Sequence, residues 1–234
     1  MSKKGICYGV SVGPGDPELI TIRAFNTIKN ADYIFLPNAP KEDCRVYQII
    51  KGAFPEIDEK NIVCDMGSKM TNPSMAGERY DRLSKCVEEY LDDGYSVAFP
   101  ALGAVALYST FMYVHERLVR DGYTCELISG VSSIQETVRT FSMSIAQGDE
   151  EVHVFPDAEN LNEKLSLNGT KVFMKPKGSL SDFTEKIVDY CKTNPNASAY
   201  GVSNLGTDKE IVAHVYGELC KLQGYMTVII VKDV

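Results

Sequence analysis

The sequence predicts an α/β protein of two tandem α/β domains, a mostly parallel N-terminal sheet over 1–128 and a mixed C-terminal sheet over 129–234. Three observations carry this reading. Through the first half, short β-branched and aromatic runs alternate with amphipathic stretches, the pattern of a parallel sheet with helices on both faces. In the second half the last strands are joined by short segments without a long crossover helix, which favours antiparallel pairs. The chain has 234 residues and is 44% hydrophobic, enough for two cores of ordinary domain size.

The elements follow in order. A strand over 6–12 opens the chain. A helix over 18–30 comes next, with Leu19, Ile22, Ala24, Phe25 and Ile28 as its apolar face. Asp16 is its expected N-cap and Pro17 its first residue. A strand over 33–36, a short helix over 44–54 and a strand over 61–65 continue the alternation. The run 74–93 is a long amphipathic helix with Leu83, Val87, Tyr90 and Leu91 on one side, ended by Gly94. A strand over 95–99 leads into PALGAVALYST (100–110), and a helix over 107–119 leads out. The strand over 124–128 ends in SGVSS, and the capping-box spacing of Ser133 and Glu136 starts a helix that runs to 141. In the second domain, strands are expected over 152–155, 172–174, 197–202, 210–214 and 226–231, with helices over 160–167 and 181–192.

Composition excludes several functions. The net charge of −8 argues against a nucleic-acid partner, whose binding rests on phosphate neutralisation. No apolar run approaches the roughly 18 residues of a membrane span. The start, MSKKGICYGVSVG, lacks a signal peptide's apolar stretch, so the expected location is cytoplasmic. The seven cysteines include no CxxC pair and the three histidines share no ligand spacing, so no metal site is expected and the thiols read as reduced and mostly buried. The glycosylation tripeptides NGT (168–170) and NAS (196–198) carry no weight without secretion.

Function is concentrated in loops that follow strands. In GVSVGPGDPELITIRA (9–24), Gly13, Pro14 and Gly15 join a strand to a helix without the spacing of a dinucleotide site or the G-K-[ST] of a P-loop. By spacing alone it reads as a tight turn with a capping Asp, or as a loop whose glycine backbone lets a ligand approach. KPKGS (175–179) places Lys175 and Lys177 just past a strand end, as a solvated turn or an anion contact. SNLGTD (203–208) is a further polar turn. Strand-end loops of this kind converge on one site in α/β proteins, and here the expectation is a ligand cleft between the two domains.

Taken in order, VSVGPGDPELITIRA, the G-x-x-x-YST of 103–110, SGVSSI at 129–134, GDE at 148–150, VFMK at 172–175 and TVIIV at 227–231 resemble the tetrapyrrole methylase family over nearly the whole chain. Within it, LYSTFMY and the GVSS-plus-GDE arrangement are most similar to members that methylate carbon 20 of precorrin-2 or cobalt-precorrin-2 in cobalamin biosynthesis. The resemblance implies the tetrapyrrole methylase fold, S-adenosylmethionine as donor with S-adenosylhomocysteine as product, a small-molecule tetrapyrrole acceptor and a homodimer. It also implies the donor site. Pro14 matches the proline of the first glycine loop. Leu102, Gly103 and Ala104 match the donor loop, with Leu107 an apolar contact one turn on. Ser132 and Ser133 match a small hydroxyl pair, Met174 a methionine beside the adenine, Gly206 a glycine approaching the donor and Thr227 a residue near the adenine.

One departure stands out. The family usually reads G-D-P where this chain reads Gly103-Ala104-Val105, so the aspartate that reaches the donor's amino-acid end is absent. Losing one charge-assisted hydrogen bond weakens binding by about 1.5–3 kcal/mol. The alternative reading is therefore an impaired or non-catalytic member, or a relative that methylates another substrate. Because the sulfonium methyl is already electrophilic, the expected mechanism is in-line displacement governed by proximity and alignment. Tyr108 is the candidate to take the proton from the methylated carbon, against a plain packing role. Arg139, Lys175 and Lys177 are candidate cations for the acceptor's carboxylates, against solvated surface roles.

Overall fold

In the computed structural model, which describes residues 4–36, 40–65, 76–157, 159–176, 178–214 and 218–233, five parallel strands form the first sheet. They are β1 (Ile6–Ser11), β2 (Tyr33–Leu36), β3 (Asn61–Cys64), β4 (Val97–Ala101) and β5 (Thr124–Ile128), in the order β3-β2-β4-β1-β5. The helices are α1 (Ile22–Asn30), α2 (Arg45–Ala53), α3 (Ala76–Asp92) and α4 (Thr110–Arg120). Each face of the sheet has its own core. Val10, Val12, Ile34 and Leu36 pack with Ala24 and Ile28 of α1 and Val46, Ile49 and Ile50 of α2. Cys7, Phe35, Val97 and Phe99 pack with Leu83 and Val87 of α3 and Phe111 and Val114 of α4. Gly9 has no side chain because a Cβ there would lie 2.1 Å from the Phe111 ring.

Local capping moves several boundaries. The helix expected over 18–30 is broken. Asp16 accepts from the Glu18 N–H at 2.9 Å and starts a 3-10 turn, Pro17–Leu19. Ile20 is then extended, and Thr21 accepts from the Ala24 N–H at 3.2 Å to start α1 afresh. Two caps give two starts. Ile22, expected on the apolar face, is 81% exposed, and Ala24 and Ile28 carry the burial. The helix expected from 107 begins at Thr110, because Ser109 caps it by accepting from the Phe111 N–H. The strand expected over 95–99 lies two residues later, at Val97–Ala101. The Ser96 N–H and hydroxyl are held instead by the Asp32 carboxylate, at 2.8 and 2.6 Å.

The chain divides into Met1–Ser132 and Ser133–Val234; the sequence places the boundary before Ser129. The second unit holds α5 (Ser133–Thr140), β6 (Val152–Phe155), α6 (Leu161–Leu165), β7 (Thr170–Met174), α7 (Leu180–Thr193), β8 (Ala197–Ser203), β9 (Ile211–His214) and β10 (Thr227–Asp233). Its sheet runs β6-β7-β10-β8-β9. Only β6 and β7 are parallel, which makes it mixed as the short connections predict. Phe173, Ile229 and Val231 pack on Phe183 and Ile187 of α7. Helix α5 begins at Ser133 as expected, so Ser133 is its first helical residue, and the Glu136 carboxylate accepts from Arg139 Nε at 2.7 Å. Of the free thiols, Cys7, Cys44 and Cys191 are buried, Cys64, Cys86 and Cys125 half-buried, and Cys220 exposed.

Candidate functional site

In the first unit the site follows from strand order. Strands β1 and β4 are parallel neighbours, yet α1 after β1 and α4 after β4 pack on opposite faces of the sheet. Their connecting loops therefore diverge at the carboxyl edge, and such a switch point is where open α/β sheets bind ligands. Backbone bonds hold the two loops together below the opening. The Val12 N–H donates to the Ala101 carbonyl at 3.0 Å, and the Gly103 N–H to the Gly13 carbonyl at 2.8 Å. Gly13 (φ 80°) and Gly103 (φ 70°) both take the left-handed conformation that favours glycine. The Leu107 N–H closes a turn onto the Ala104 carbonyl at 3.0 Å.

Of the expected donor residues, Leu102, Gly103, Ala104 and Leu107 lie in one loop, and Gly103 is bonded to Gly13, the neighbour of Pro14. Pro14 and Gly103 are buried, Leu102, Ala104 and Leu107 are half-buried, and Ser132 is buried at the end of the loop after β5. Val105 is 2% exposed and belongs to the α3/α4 core, so its side chain faces packing rather than ligand. Tyr108 is exposed and left-handed at φ 50°, a strained backbone for an aromatic residue and one associated with functional loops.

In the second unit the expected residues also gather at one sheet end. Met174 ends β7 and pairs with Val228, while Thr227 begins β10 and pairs with Ser203, the last residue of β8. Met174 and Thr227 are buried, and the Thr227 hydroxyl is engaged with Ser203 Oγ and the Gly224 carbonyl, at 2.8 and 2.7 Å. Thr227 therefore holds the loop rather than offering its hydroxyl. Gly206 is exposed, but its N–H donates to the Glu210 carboxylate at 2.6 Å. Lys175 is half-buried with φ 50°, its N–H donating to the Thr227 carbonyl at 3.1 Å, and burial pulls its ammonium below the usual lysine range. Ser133 is half-buried at the start of α5. The exposed Arg139 is paired with Glu136 three residues earlier, which offsets its charge. Lys177 lies outside the described residues. In the GDE stretch, Glu150 binds Lys232 of β10 and the Gln147 N–H, so this motif fastens a loop to the sheet.

Several residues that organise the first unit were not singled out by sequence reasoning. Ser11 is fully buried, and its Oγ accepts from the Val105 N–H at 2.9 Å. A Cβ on Gly130 would lie 2.6 Å from the Ser11 Cβ, so the loop after β5 rests on the same residue. The Thr21 hydroxyl donates to the Ser129 carbonyl at 3.2 Å, and Arg45 Nη2 to the Pro14 carbonyl at 3.3 Å. The available signal was a lone hydroxyl in the otherwise apolar end of a central strand.

Chemically, the first unit offers bare glycine backbone, a small side chain at Ala104 and half-buried leucines, which suit an organic ligand held by shape and main-chain groups. Among the described residues no cluster of His, Cys, Asp or Glu could hold a metal ion. A depression of about 590 Å³ runs along α1 and β5, but Arg23 and Glu126 in its lining neutralise each other.

The model of the tetrapyrrole (corrin/porphyrin) methylases matches residues 7–219. A probable cobalt-precorrin-2 C(20)-methyltransferase of Methanocaldococcus jannaschii is 32% identical over 175 residues, 73% of this chain and 72% of that one. Among solved structures, a putative cobalamin synthesis related protein of Corynebacterium diphtheriae superposes with a TM-score of 0.75 at 18% identity, over 98% of this chain and 99% of that one. A uroporphyrin-III C-methyl transferase of Thermus thermophilus, solved with S-adenyl homocysteine, gives 0.64 at 15% identity over 97% of each chain.

Proposed function

For this chain, which belongs to the tetrapyrrole (corrin/porphyrin) methylase family, we propose S-adenosylmethionine-dependent methylation of carbon 20 of precorrin-2 or cobalt-precorrin-2, a step of cobalamin biosynthesis. The observation that carries this reading is the paired Gly13/Gly103 loop at the β1/β4 switch point, in a chain that matches the family over residues 7–219. The residues present fit the donor. The two left-handed glycines leave room for a close approach, and the half-buried Leu102, Ala104 and Leu107 line the same turn. At the end of the second sheet, Met174 and Gly206 are read as the adenine side, with the buried Thr227–Ser203 pair holding their loop.

When bound, S-adenosylmethionine would supply an electrophilic sulfonium methyl, which an electron-rich carbon of the tetrapyrrole would take with the S–C electron pair left on sulfur and a proton lost from that carbon. The chain's own part is positioning. Fixed loops hold the reactants at attack distance, which is worth about 7–11 kcal/mol. Tyr108, strained and exposed beside the 104–107 turn, is read as a tetrapyrrole contact whose hydroxyl can relay the carbon's proton to water. Lys175 is assigned to an acceptor carboxylate, with Lys177 beside it in sequence; Arg139 contributes less because Glu136 already neutralises it. The impaired-member alternative is not favoured. The 104–107 turn is closed and its backbone satisfied without the aspartate, so the cost is a weaker grip on the donor's amino-acid end. The same reading has the protein act as a cytoplasmic homodimer without nucleic-acid or membrane partners. No described helix is long and apolar enough to cross a membrane.

The test is incubation of purified protein with S-adenosylmethionine and enzymatically prepared precorrin-2 or cobalt-precorrin-2, followed by mass spectrometry. One added methyl per tetrapyrrole, with matching S-adenosylhomocysteine, is expected. Turnover with neither acceptor at saturating donor would remove the proposal. Sedimentation of the same sample tests the dimer.

A further inference from the structure

We infer that Ser11 is the positioning residue of the donor loop, standing in for the conformational restraint that a proline at position 105 would impose. This rests on the donor-site reading above. Val105 occupies the second position of the turn that the Leu107 N–H closes onto the Ala104 carbonyl. Proline is favoured at that position of a turn, since it pre-sets φ and has no N–H to satisfy. Valine brings an N–H into a place where both Val105 and Ser11 are buried, 2% and 1% exposed. A buried N–H must find an acceptor. Ser11 Oγ is that acceptor, at 2.9 Å across 94 residues of sequence.

The bond does more than satisfy one group. Ser11 is the last residue of β1, the strand between β4 and β5, and so lies beneath two loops at once. Its hydroxyl fixes the loop after β4 through Val105, and its Cβ is the surface against which Gly130 of the loop after β5 rests. The neighbouring Val12–Ala101 and Gly13–Gly103 bonds tie β1 to the β4 loop only up to position 103. Beyond it, Ser11 is a tether from β1 to the 104–107 turn. The position of Ala104 and Leu107 therefore depends on a buried hydroxyl, together with the Val105 side chain anchored in the core.

The experiment uses the full chain and four proteins: unmodified, Ser11→Ala, Val105→Pro, and the double variant. Two readouts are taken on each: hydrogen exchange of the segment that contains the Gly103 and Leu107 amides, and the dissociation constant of S-adenosylhomocysteine by calorimetry. Ser11→Ala leaves the Val105 N–H without its acceptor. It is expected to speed exchange in the segment and to weaken the ligand about 10-fold, with a higher KM for S-adenosylmethionine and kcat changed less than two-fold. Val105→Pro needs no acceptor, so adding it to Ser11→Ala should restore both readouts to within about two-fold of Val105→Pro alone. A merely structural role for Ser11 would lower global stability without this rescue. Unchanged exchange in Ser11→Ala, or a double variant no better than Ser11→Ala, overturns the inference. If the unmodified chain binds no S-adenosylhomocysteine, the donor-site reading fails, and with it the donor half of this inference; exchange alone then decides whether Ser11 holds the loop.

Discussion

Replacing Ala104 by aspartate tests the proposed donor loop at the position where the family resemblance implies an aspartate. Ala104 opens the 104–107 turn through its carbonyl, so its backbone is already fixed and a larger side chain need not reorganise it. The side chain is half-buried, between the buried Gly103 and Val105. A hydrogen bond to a charged group contributes about 1.5–3 kcal/mol when well enclosed. With the position half open to water the contribution is discounted to about 1–2 kcal/mol, or roughly 5- to 30-fold in affinity. The assay is calorimetric titration of S-adenosylhomocysteine and of 5′-methylthioadenosine, which keeps the nucleoside and thioether but has no amino-acid end. Ala104→Asp should tighten the first ligand and leave the second within about two-fold. An equal gain for both ligands would refute the reasoning, because it would place the new carboxylate elsewhere. No gain for either would show that position 104 does not face the donor.

Other substitutions separate local causes. Lys171 has a fully buried side chain, bonded to the Leu167 carbonyl at 3.0 Å and paired with Asp233, which is 37% exposed. Asp233→Ala leaves the buried ammonium with the Leu167 carbonyl alone and should cost about 2–3 kcal/mol, whereas Lys171→Met leaves only a solvated carboxylate and should cost under about 1.5 kcal/mol; urea unfolding that ranks them in reverse would contradict this. Burial lowers the pKa of Lys175, so the folded state penalises its charged form. That penalty is full below the folded pKa and fades as pH rises towards the unfolded value. Lys175→Met should therefore raise the urea midpoint at pH 7, with an advantage that shrinks towards pH 10, while raising the KM for the tetrapyrrole. A constant advantage across that range would exclude burial of the charge as the cause. Gly130→Ala forces a Cβ to 2.6 Å from the Ser11 Cβ and should destabilise by about 1–3 kcal/mol. Gly77→Ala, in α3 with nothing within 4 Å, should be stabilising by up to about 1 kcal/mol; similar values for the two would argue against close packing at Gly130.

Much of the molecule was legible without coordinates. Parallel strands buried on both faces read as apolar runs, so β1, β2 and β4 were found, with β4 two residues out of place. The amphipathic period located α3, α4 and α7 within a few residues. The missed helix boundaries share one cause, competition between local caps, whereas the start of β4 was moved by the Asp32–Ser96 bonds. Nothing in the periodicity of 18–30 says that Asp16 and Thr21 will each start a helix, or that Ile22 will point to water. The glycine loops and the strand-end turns were visible as motifs, because positive φ and tight turns demand particular residue types.

What the sequence by itself determined is the class of the strands and longer helices, the change from a parallel to a mixed sheet and the family, since these depend on patterns local to the chain. What only the tertiary structure decided is which distant residues share a bond. Ser11 and Val105, Gly13 and Gly103, Thr21 and Ser129 meet because strand order places β1 between β4 and β5. The same holds for the division of labour at the site. Thr227 spends its hydroxyl on Ser203, Arg139 its charge on Glu136 and Glu150 its carboxylate on Lys232. A residue's type fixes what bonds it can make, but only folding brings up the neighbour that takes them.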